Sequence, residues 1–394
     1  MKAQRFIAIV FIFIIGALCL LSAPAAHRVL TYRDTDFQGV LGDRWQGSRF
    51  DSGLAKEFPG LTFWMGVYGG VNRTLGIRYI PDQEIGVTKL EDGQLSYGID
   101  RLGDRRIDGY VENTVELKKK LGSRGIPLVY VQVPFKTGME GGLERGTADY
   151  SDCNADRLMS GLSSGGVDVL DLRREMKGRM SADEMFFRTD HHWRPEAALM
   201  AAGILGGRLH NDFGLCYDEA AFDPGTYNTE TYRNYYLGAL GKKTGATYAG
   251  TDDFTLLTPK DSPDFRVTWR RDGKTFSRRG KFGEALVDRR IIYRGDLYHR
   301  VSYDAYMNGR GAVATVVNEG TGSQDRILLV GDSYSWCMVP FLAMNYGQVT
   351  AVDMRDFTGT SLWGYLEDNT FDCVVIAYNP ASLEGRNFSF FSGK

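Results

Sequence analysis

The chain has 394 residues, with 47 Lys and Arg against 49 Asp and Glu, for a net charge of -2. Hydrophobic residues make up 43% and charged residues 24%, the balance of a globular protein with a large core, which excludes a disordered chain, a collagen and a coiled coil. The absence of a basic surplus excludes a binder that works by neutralising nucleic-acid phosphates, and the 48 glycines predict turns and loops rather than long helices.

The N-terminus sets the expected compartment. Lys2 and Arg5 precede an uncharged run from Phe6 to Ala26, of which Phe6 to Leu21 is strongly apolar. Its 21 residues suffice to cross a hydrocarbon core of ~30 Å as a helix. The basic flank comes first, so everything after Ala26 is expected outside the cytoplasm. Residues 1–26 read as a signal-anchor, leaving the protein single-pass in the cell membrane. The alternative is a signal peptide cut at Ala23-Pro24-Ala25, leaving a secreted protein; Pro24 is awkward for that cleavage.

Residues 27–110 form an N-terminal leader expected to pack on the core. It is rich in Gly and aromatics from Phe58 to Gly76, with a hairpin around Glu91-Asp92-Gly93. Helical spacing follows at Val111–Leu121, and Gly125 stops it. Ile126–Val133 is an apolar run of the kind buried on both faces of a sheet. Val167–Leu172 is a second such strand, and Pro195 opens an Ala-rich helix. Residues from about 220 to 325 read as a β-rich insertion. The α/β rhythm then returns with strand Ile327–Ser333, a helix near Cys337–Tyr346, and strands Val349–Met354 and Cys373–Asn379. This alternation implies βαβ units and a mostly parallel sheet flanked by helices, with sites at the carboxyl ends of the strands. The domain expected from these elements spans 111–394.

Of the five cysteines, Cys19 falls in the apolar run. Cys153 and Cys216 lie in polar surroundings and are the better pair for a disulfide, whereas Cys337 and Cys373 read as core. No Cys-x-x-Cys occurs, so a thiolate zinc site is not expected, and neither a metal nor a cofactor is assigned.

Several residues could carry chemistry. Gly331-Asp332-Ser333 sits between an apolar strand and a helix. That turn exposes a hydroxyl and puts a backbone N–H at a helix N-terminus, facing a developing oxyanion; it is also an ordinary helix cap. Thr189-Asp190-His191-His192-Trp193 holds two of the five histidines. A serine nucleophile needs an imidazole to take its proton and a carboxylate to orient that imidazole, which His192 and Asp190 can supply. In extended backbone His191 and His192 point apart, so one is expected to act and the other to pack. Asp183 and Glu184 are nearby, but no metal-ligand spacing results. Asn379, at a strand end before Pro380, is either an oxyanion donor or a turn former. Arg355 either positions an anionic substrate or pairs with Asp353 or Asp356.

Together these motifs resemble the DHHW protein family, related to the alginate O-acetyltransferases of the AlgJ/AlgX type within the SGNH hydrolase-like superfamily. Asp-His-His-Trp is followed downstream by Gly-Asp-Ser. FPGLTFWMGVYGGVNRTLG, IPLVYVQVPFK, LVGDSYSWCMVPFLAMNYGQVTAVDMRDF and CVVIAYNP fall in the expected order, over roughly residues 35–385. The resemblance implies an SGNH hydrolase-like α/β fold. It implies Ser333 as nucleophile, His192 as base and Asp190 as orienting carboxylate, in the reverse order to ordinary SGNH esterases. Asn379 inherits the oxyanion role; the superfamily's separate oxyanion Gly is not recognisable. Arg355 and Trp193 are, apart from the resemblance, candidate substrate-binding residues. No carbohydrate-binding module of the AlgX kind is expected after the last strand. The implied activity is extracytoplasmic acyl transfer through an acetyl-Ser intermediate, O-acetylating a cell-surface or secreted polysaccharide. An MBOAT-type membrane acyltransferase would pass the acetyl group across. The alternatives are a carbohydrate O-acetylesterase, with water as acceptor, and a non-catalytic polysaccharide-assembly protein.

Overall fold

The computed structural model describes residues 60–393, apart from 83, 84, 141–147, 272 and 310, with seven further positions between 12 and 23. Most of the Phe6–Ala26 run expected to cross a membrane lies outside the described residues. Among the described residues no helix is long and apolar enough to do so.

The leader contributes helix α1 (Leu61–Thr74) and three short strands, β1 (Tyr79–Ile80), β2 (Val87–Lys89) and β3 (Leu95–Ser96). The expected hairpin joins β2 to β3, pairing Lys89 with Leu95 around Gly93 at φ 89°. The main domain then runs through α2 (Asp104–Gly122), β4 (Leu128–Gln132), α3 (Ser151–Ser164), β5 (Asp168–Asp171) and α4 (Pro195–Phe213). Residues 227–318 add β6 (Tyr227–Tyr236), α5 (Ala239–Thr244), α6 (Ala246–Ala249), β7 (Asp252–Pro259), β8 (Asp264–Arg271), β9 (Lys274–Lys281) and β10 (Val313–Asn318). The chain closes with β11 (Arg326–Gly331), α7 (Ser333–Asn345), β12 (Gln348–Val352), α8 (Leu362–Asp368) and β13 (Cys373–Tyr378).

Eight strands form one sheet in the order β5-β4-β13-β11-β12-β10-β8-β9. From β5 to β12 neighbours run parallel; β10, β8 and β9 continue antiparallel. The expected β-rich insertion therefore corrects in one respect: three of its strands extend the main sheet, and only β6 and β7 make a separate ribbon. Alternating β-branched residues in β10, such as Val313, Thr315 and Val317, let it pair with β12 on one side and β8 on the other.

Period-2 alternation splits the core across the sheet. In β11, Ile327 and Leu329 join α4 and α7 on one face, while Leu328 and Val330 join α2, α3 and α8 on the other. The uniformly apolar strands need this two-sided burial, as their composition requires. Helix α4 starts with Pro195 at its first position and stops at Gly214 in the left-handed region, φ 72°, the pairing of Pro inside the start and Gly past the end that ends a helix cleanly.

Cys153, Cys216, Cys337 and Cys373 are all free thiols. The Cys153–Cys216 bridge is absent for a topological reason: Cys153 lies in α3 on one face of the sheet, and Cys216 follows α4 on the other, its N–H on Asp325. Helices of 19 residues, α2 and α4, exceed what the glycine content suggested, because most glycines fall in loops and at helix contacts.

Gly331, the last residue of β11, shows how tight the sheet end is. A Cβ there would meet Ala377 O at 2.7 Å and run into Ser335 Oγ. Replacing Gly331 with Ala should cost about 2 kcal/mol of stability, read as a lower urea midpoint with an unchanged denaturant slope.

Candidate active site

Two segments far apart in sequence meet at the carboxyl end of the parallel strands. One is the strand-to-helix turn after β11. Asp332 caps α7: its Oδ1 accepts the Tyr334 N–H at 3.0 Å and the Ser335 N–H at 3.4 Å. Its Oδ2 accepts the Asn379 backbone N–H at 2.8 Å and the Asn379 Nδ2–H at 2.6 Å. The cap and nucleophile readings of Gly-Asp-Ser are thus compatible, since Asp332 caps and Ser333 opens the helix.

The other is the loop from Phe187 to Trp193. Phe187 N–H closes it onto His192 O, and Asp252 accepts the Arg188 and Thr189 N–H groups, both at 2.8 Å. The His192 N–H folds back to Asp190 Oδ1 at 3.0 Å, an Asx-type turn. The backbone here is a turn and not extended, which corrects the expectation that the two histidines diverge. Their ring centroids lie 3.9 Å apart, and both Nδ1 atoms reach Asp190 Oδ1, His192 at 2.8 Å and His191 at 3.2 Å.

His192 Nε2 lies 2.7 Å from Ser333 Oγ. Asp190, His192 and Ser333 therefore form one continuous chain of hydrogen bonds with the geometry of nucleophile, base and orienting carboxylate. Asp190 is buried, and its Oδ2 also accepts from Tyr236 Oη–H at 2.6 Å and Ala239 N–H at 2.8 Å. Burial alone would raise its pKa; the two histidines and the Tyr236 hydrogen bond outweigh that and hold the carboxyl well below the usual range. Burial and the neighbouring His192 push His191 down to about 3, so His191 is neutral at ordinary pH.

Other expected site residues are placed differently. Trp193 is fully buried and donates Nε1–H to Tyr334 O at 3.2 Å. It locks the loop to α7 from within the core and offers no surface to a substrate. Asn379 is also buried, and both its amide hydrogens are engaged, on Asp332 Oδ2 and on Ser382 Oγ at 3.1 Å. In this arrangement it anchors the Asp332 cap and is not free to donate to an oxyanion. Arg355 grips Asp353 through Nε at 2.9 Å and Nη2 at 2.7 Å, and beyond that pair it lines an open groove of about 1480 Å³ together with Arg270, Arg294, His299 and Asp304. Among the described residues, Asp190, His191 and His192 are the group able to hold a metal ion, their ligand atoms lying within 4.8 Å of one another. A cation there would draw Asp190 Oδ1 away from His192.

The sequence reading missed the residues that hold this arrangement. Tyr303 stacks on the His192 ring at 4.3 Å between centroids and donates Oη–H to Ser333 O at 3.1 Å. Lys136 is fully buried just beyond the end of β4. Its ammonium donates to Leu95 O and Phe187 O at 2.7 Å each and to Asp190 O at 2.5 Å. Burial lowers its pKa to about 8, against the pull of Asp252 and Asp190. The only signal for Lys136 was its place after a buried parallel strand; Tyr236, Tyr303 and Ala239 come from the Tyr-rich insertion and carried none. Gly238 completes the fit, because a Cβ on it would run into Asp190.

Lys136→Met should leave three buried carbonyls without a donor and cost about 3 kcal/mol, read as a lower urea midpoint. A second outcome concerns pH. The unfolded chain takes a proton on His191 near pH 6.5, which the folded chain refuses until about pH 3. The unfolded state thus binds more protons in that window, and stability must fall as pH drops through it. Asp190, with its lowered pKa, adds a loss of the same sign below the ordinary carboxylate value. Urea midpoints measured between pH 7 and 4 should fall less steeply for His191→Gln, by at most ~1.4 kcal/mol per pH unit.

Residues 99–263 match the family described as SGNH hydrolase-like domain, acetyltransferase AlgX. Among solved structures, Bacillus cereus PatB1 with a sulfonyl adduct is similar at a TM-score of 0.66 and 18% identity, covering 78% of this chain and 98% of that one. A DHHW family protein from Eubacterium siraeum is similar at a TM-score of 0.57 and 19% identity, covering 81% and 99%. At such identities the likeness is one of fold. The curated proteins hold no match. Motifs, fold and the match over residues 99–263 agree in one respect: the chain resembles SGNH hydrolase-like domains of the AlgX kind, with the likeness to DHHW proteins that its sequence motifs imply.

Proposed function

We propose that the protein is a serine-dependent acyltransferase that O-acetylates a cell-surface or secreted polysaccharide outside the cytoplasm. The observation that carries this reading is the unbroken chain Asp190 Oδ1–His192 Nδ1 and His192 Nε2–Ser333 Oγ, at 2.8 and 2.7 Å. His192 takes the proton of Ser333 as Oγ attacks the acetyl carbonyl. The tetrahedral oxyanion forms at the N-terminus of α7, where the Ser333 N–H and the helix dipole favour negative charge. It collapses to acetyl-Ser333 as the donor's leaving group departs with the proton from His192. A sugar hydroxyl then gives its proton to His192 and attacks the acetyl carbon; the bond to Ser333 Oγ breaks as His192 returns that proton to Oγ, releasing the acetylated sugar and restoring the Ser333 hydroxyl and the neutral imidazole. Asp190 stays ionised throughout and stabilises the imidazolium.

The match to a family described as acetyltransferase supports the choice of reaction. The sulfonyl adduct of the similar PatB1 supports an activated nucleophile on this fold, because sulfonyl electrophiles are captured by such groups. The uncharged Phe6–Ala26 run behind Lys2 and Arg5 supports a single-pass, extracytoplasmic placement. With acetyl donors made inside, an MBOAT-type membrane acyltransferase is the partner that would deliver the acetyl group. A carbohydrate O-acetylesterase would use the same residues with water as acceptor.

Ser333→Ala and His192→Ala should each lower turnover of a small acetyl ester by about a thousandfold or more, and the double variant should be little worse, since residues acting as a unit are not additive. His191→Ala should keep substantial turnover. Adding an oligosaccharide should divert acetyl from water to sugar, giving an acetylated product by mass spectrometry; hydrolysis alone at every sugar concentration favours the esterase. Wild-type activity in both Ser333→Ala and His192→Ala would leave the non-catalytic reading.

A further inference from the structure

Helix α1 is packed inside out. Its sequence, LTFWMGVYGGVNRT, has no charged residue before Arg73. At 100° per residue it divides into two faces. Gly66, Gly69 and Gly70 point inward, against α5 and α6. A Cβ on Gly69 would meet Thr244 O at 2.8 Å, and one on Gly245 would run into Met65 O, so the helices touch backbone to backbone. Trp64, Val67, Tyr68 and Val71 form the opposite face, with Phe63 on its flank in the first turn; all stand in the open, Phe63 at 65% and Val71 at 51% exposure, with Leu75 beyond the helix end at 68%. A helix bathed in water on its outer side normally shows the reverse, large apolar residues inward and polar ones outward. Glycines at the helix contact with bulky apolar groups outside is the arrangement of helices whose outer medium is apolar.

We infer that the exposed face of α1 lies in the interfacial layer of a lipid bilayer, with Phe63, Trp64, Val67 and Val71 inserted among the acyl chains and headgroups. Three observations select lipid as the occupant. The chain outside the described main body ends at Pro59, two residues before α1, and carries the Phe6–Ala26 run, so the proposed bilayer segment is tethered to the start of this helix. The outward set includes Trp64 and Tyr68, the amphipathic rings that favour the membrane–water boundary. The inner face is held by protein, so the helix needs no polar face of its own to lie flat on the membrane. The inference rests on the membrane-anchored placement proposed above. It adds that the domain is docked against the bilayer through the outer face of α1, whose inner face packs on α5 and α6, and does not swing free on its leader.

The test uses the full-length chain in phosphatidylcholine vesicles, with and without dibromostearoyl phosphatidylcholine, and the same with Trp64→Phe. The difference between the two proteins isolates Trp64 among six tryptophans. Trp64 emission should fall by about half in brominated vesicles, and should persist unquenched in the triple variant Phe63→Ser, Val67→Ser, Val71→Ser. That variant should still cleave a soluble acetyl ester at the wild-type rate. Resistance of the membrane-bound chain to alkaline extraction reads the anchor separately. An extraction-resistant chain whose Trp64 is not quenched overturns the docking of α1 and leaves the anchor standing. A chain released by extraction whose Trp64 is quenched by added vesicles supports docking and defeats the anchor. Emission that is blue-shifted yet unquenched assigns the face to protein, either residues 27–59 or a second copy, and overturns the inference.

Discussion

Two carboxylates buried at the carboxyl end of the parallel strands, Asp190 and Asp332, dictate what surrounds them. A buried charge costs several kcal/mol unless its lone pairs are used, and here each oxygen has at least two donors. Asp332 takes backbone N–H groups from α7 and the Asn379 amide, so the start of the helix and the end of β13 are fixed to each other. Asp190 takes both histidines, Tyr236 and the Ala239 N–H. The 2.7 Å between His192 Nε2 and Ser333 Oγ is the distance left once both carboxylates have been satisfied. Lys136 adds the opposite charge from below, bonding the carbonyl of Asp190 itself.

This dependence explains the shape of the insertion. Tyr236 at the end of β6, with Gly238 and Ala239 in the connection to β7, closes over Asp190, while Tyr303 lies flat on His192. The residues between about 220 and 318 are thus less an appendage than the lid of the buried half of the site. The leader has a similar part, since Leu95 at the start of β3 supplies one of the three carbonyls on Lys136. The Ser333 hydroxyl is already hydrogen-bonded to His192, the preorganisation that the proposed acyl transfer would use.

Much of this was legible in the sequence, for identifiable reasons. Apolar runs such as ILLV and CVVIAY can only be strands buried on both faces, and they place Ser333 and Asn379 at one sheet end. Asp190, His192 and Ser333 were legible because their residue types and order match a known motif. Three things were not. The turn that brings His191 beside His192, closed by the His192 N–H on Asp190, sits in a loop whose start is anchored by hydrogen bonds to Asp252, some sixty residues downstream, which local pattern does not reveal. Asn379 and Trp193 have functional chemistry in their side chains, and only the partners in space show that these side chains are spent on Asp332, Ser382 and Tyr334. The glycines of α1 suggested loops, because glycine weakens an isolated helix; here close packing on α5 and α6 overrides that propensity.

The central claim is that Ser333 accepts the acyl group with His192 as its base. Mass spectrometry of the full-length protein, quenched in acid during turnover of an activated acetyl ester and digested, tests it most directly. The expected result is an acetyl group on the peptide containing Ser333, absent when His192 is replaced by Ala. Acetyl found on another residue, or on Ser333 to the same extent without His192, contradicts it.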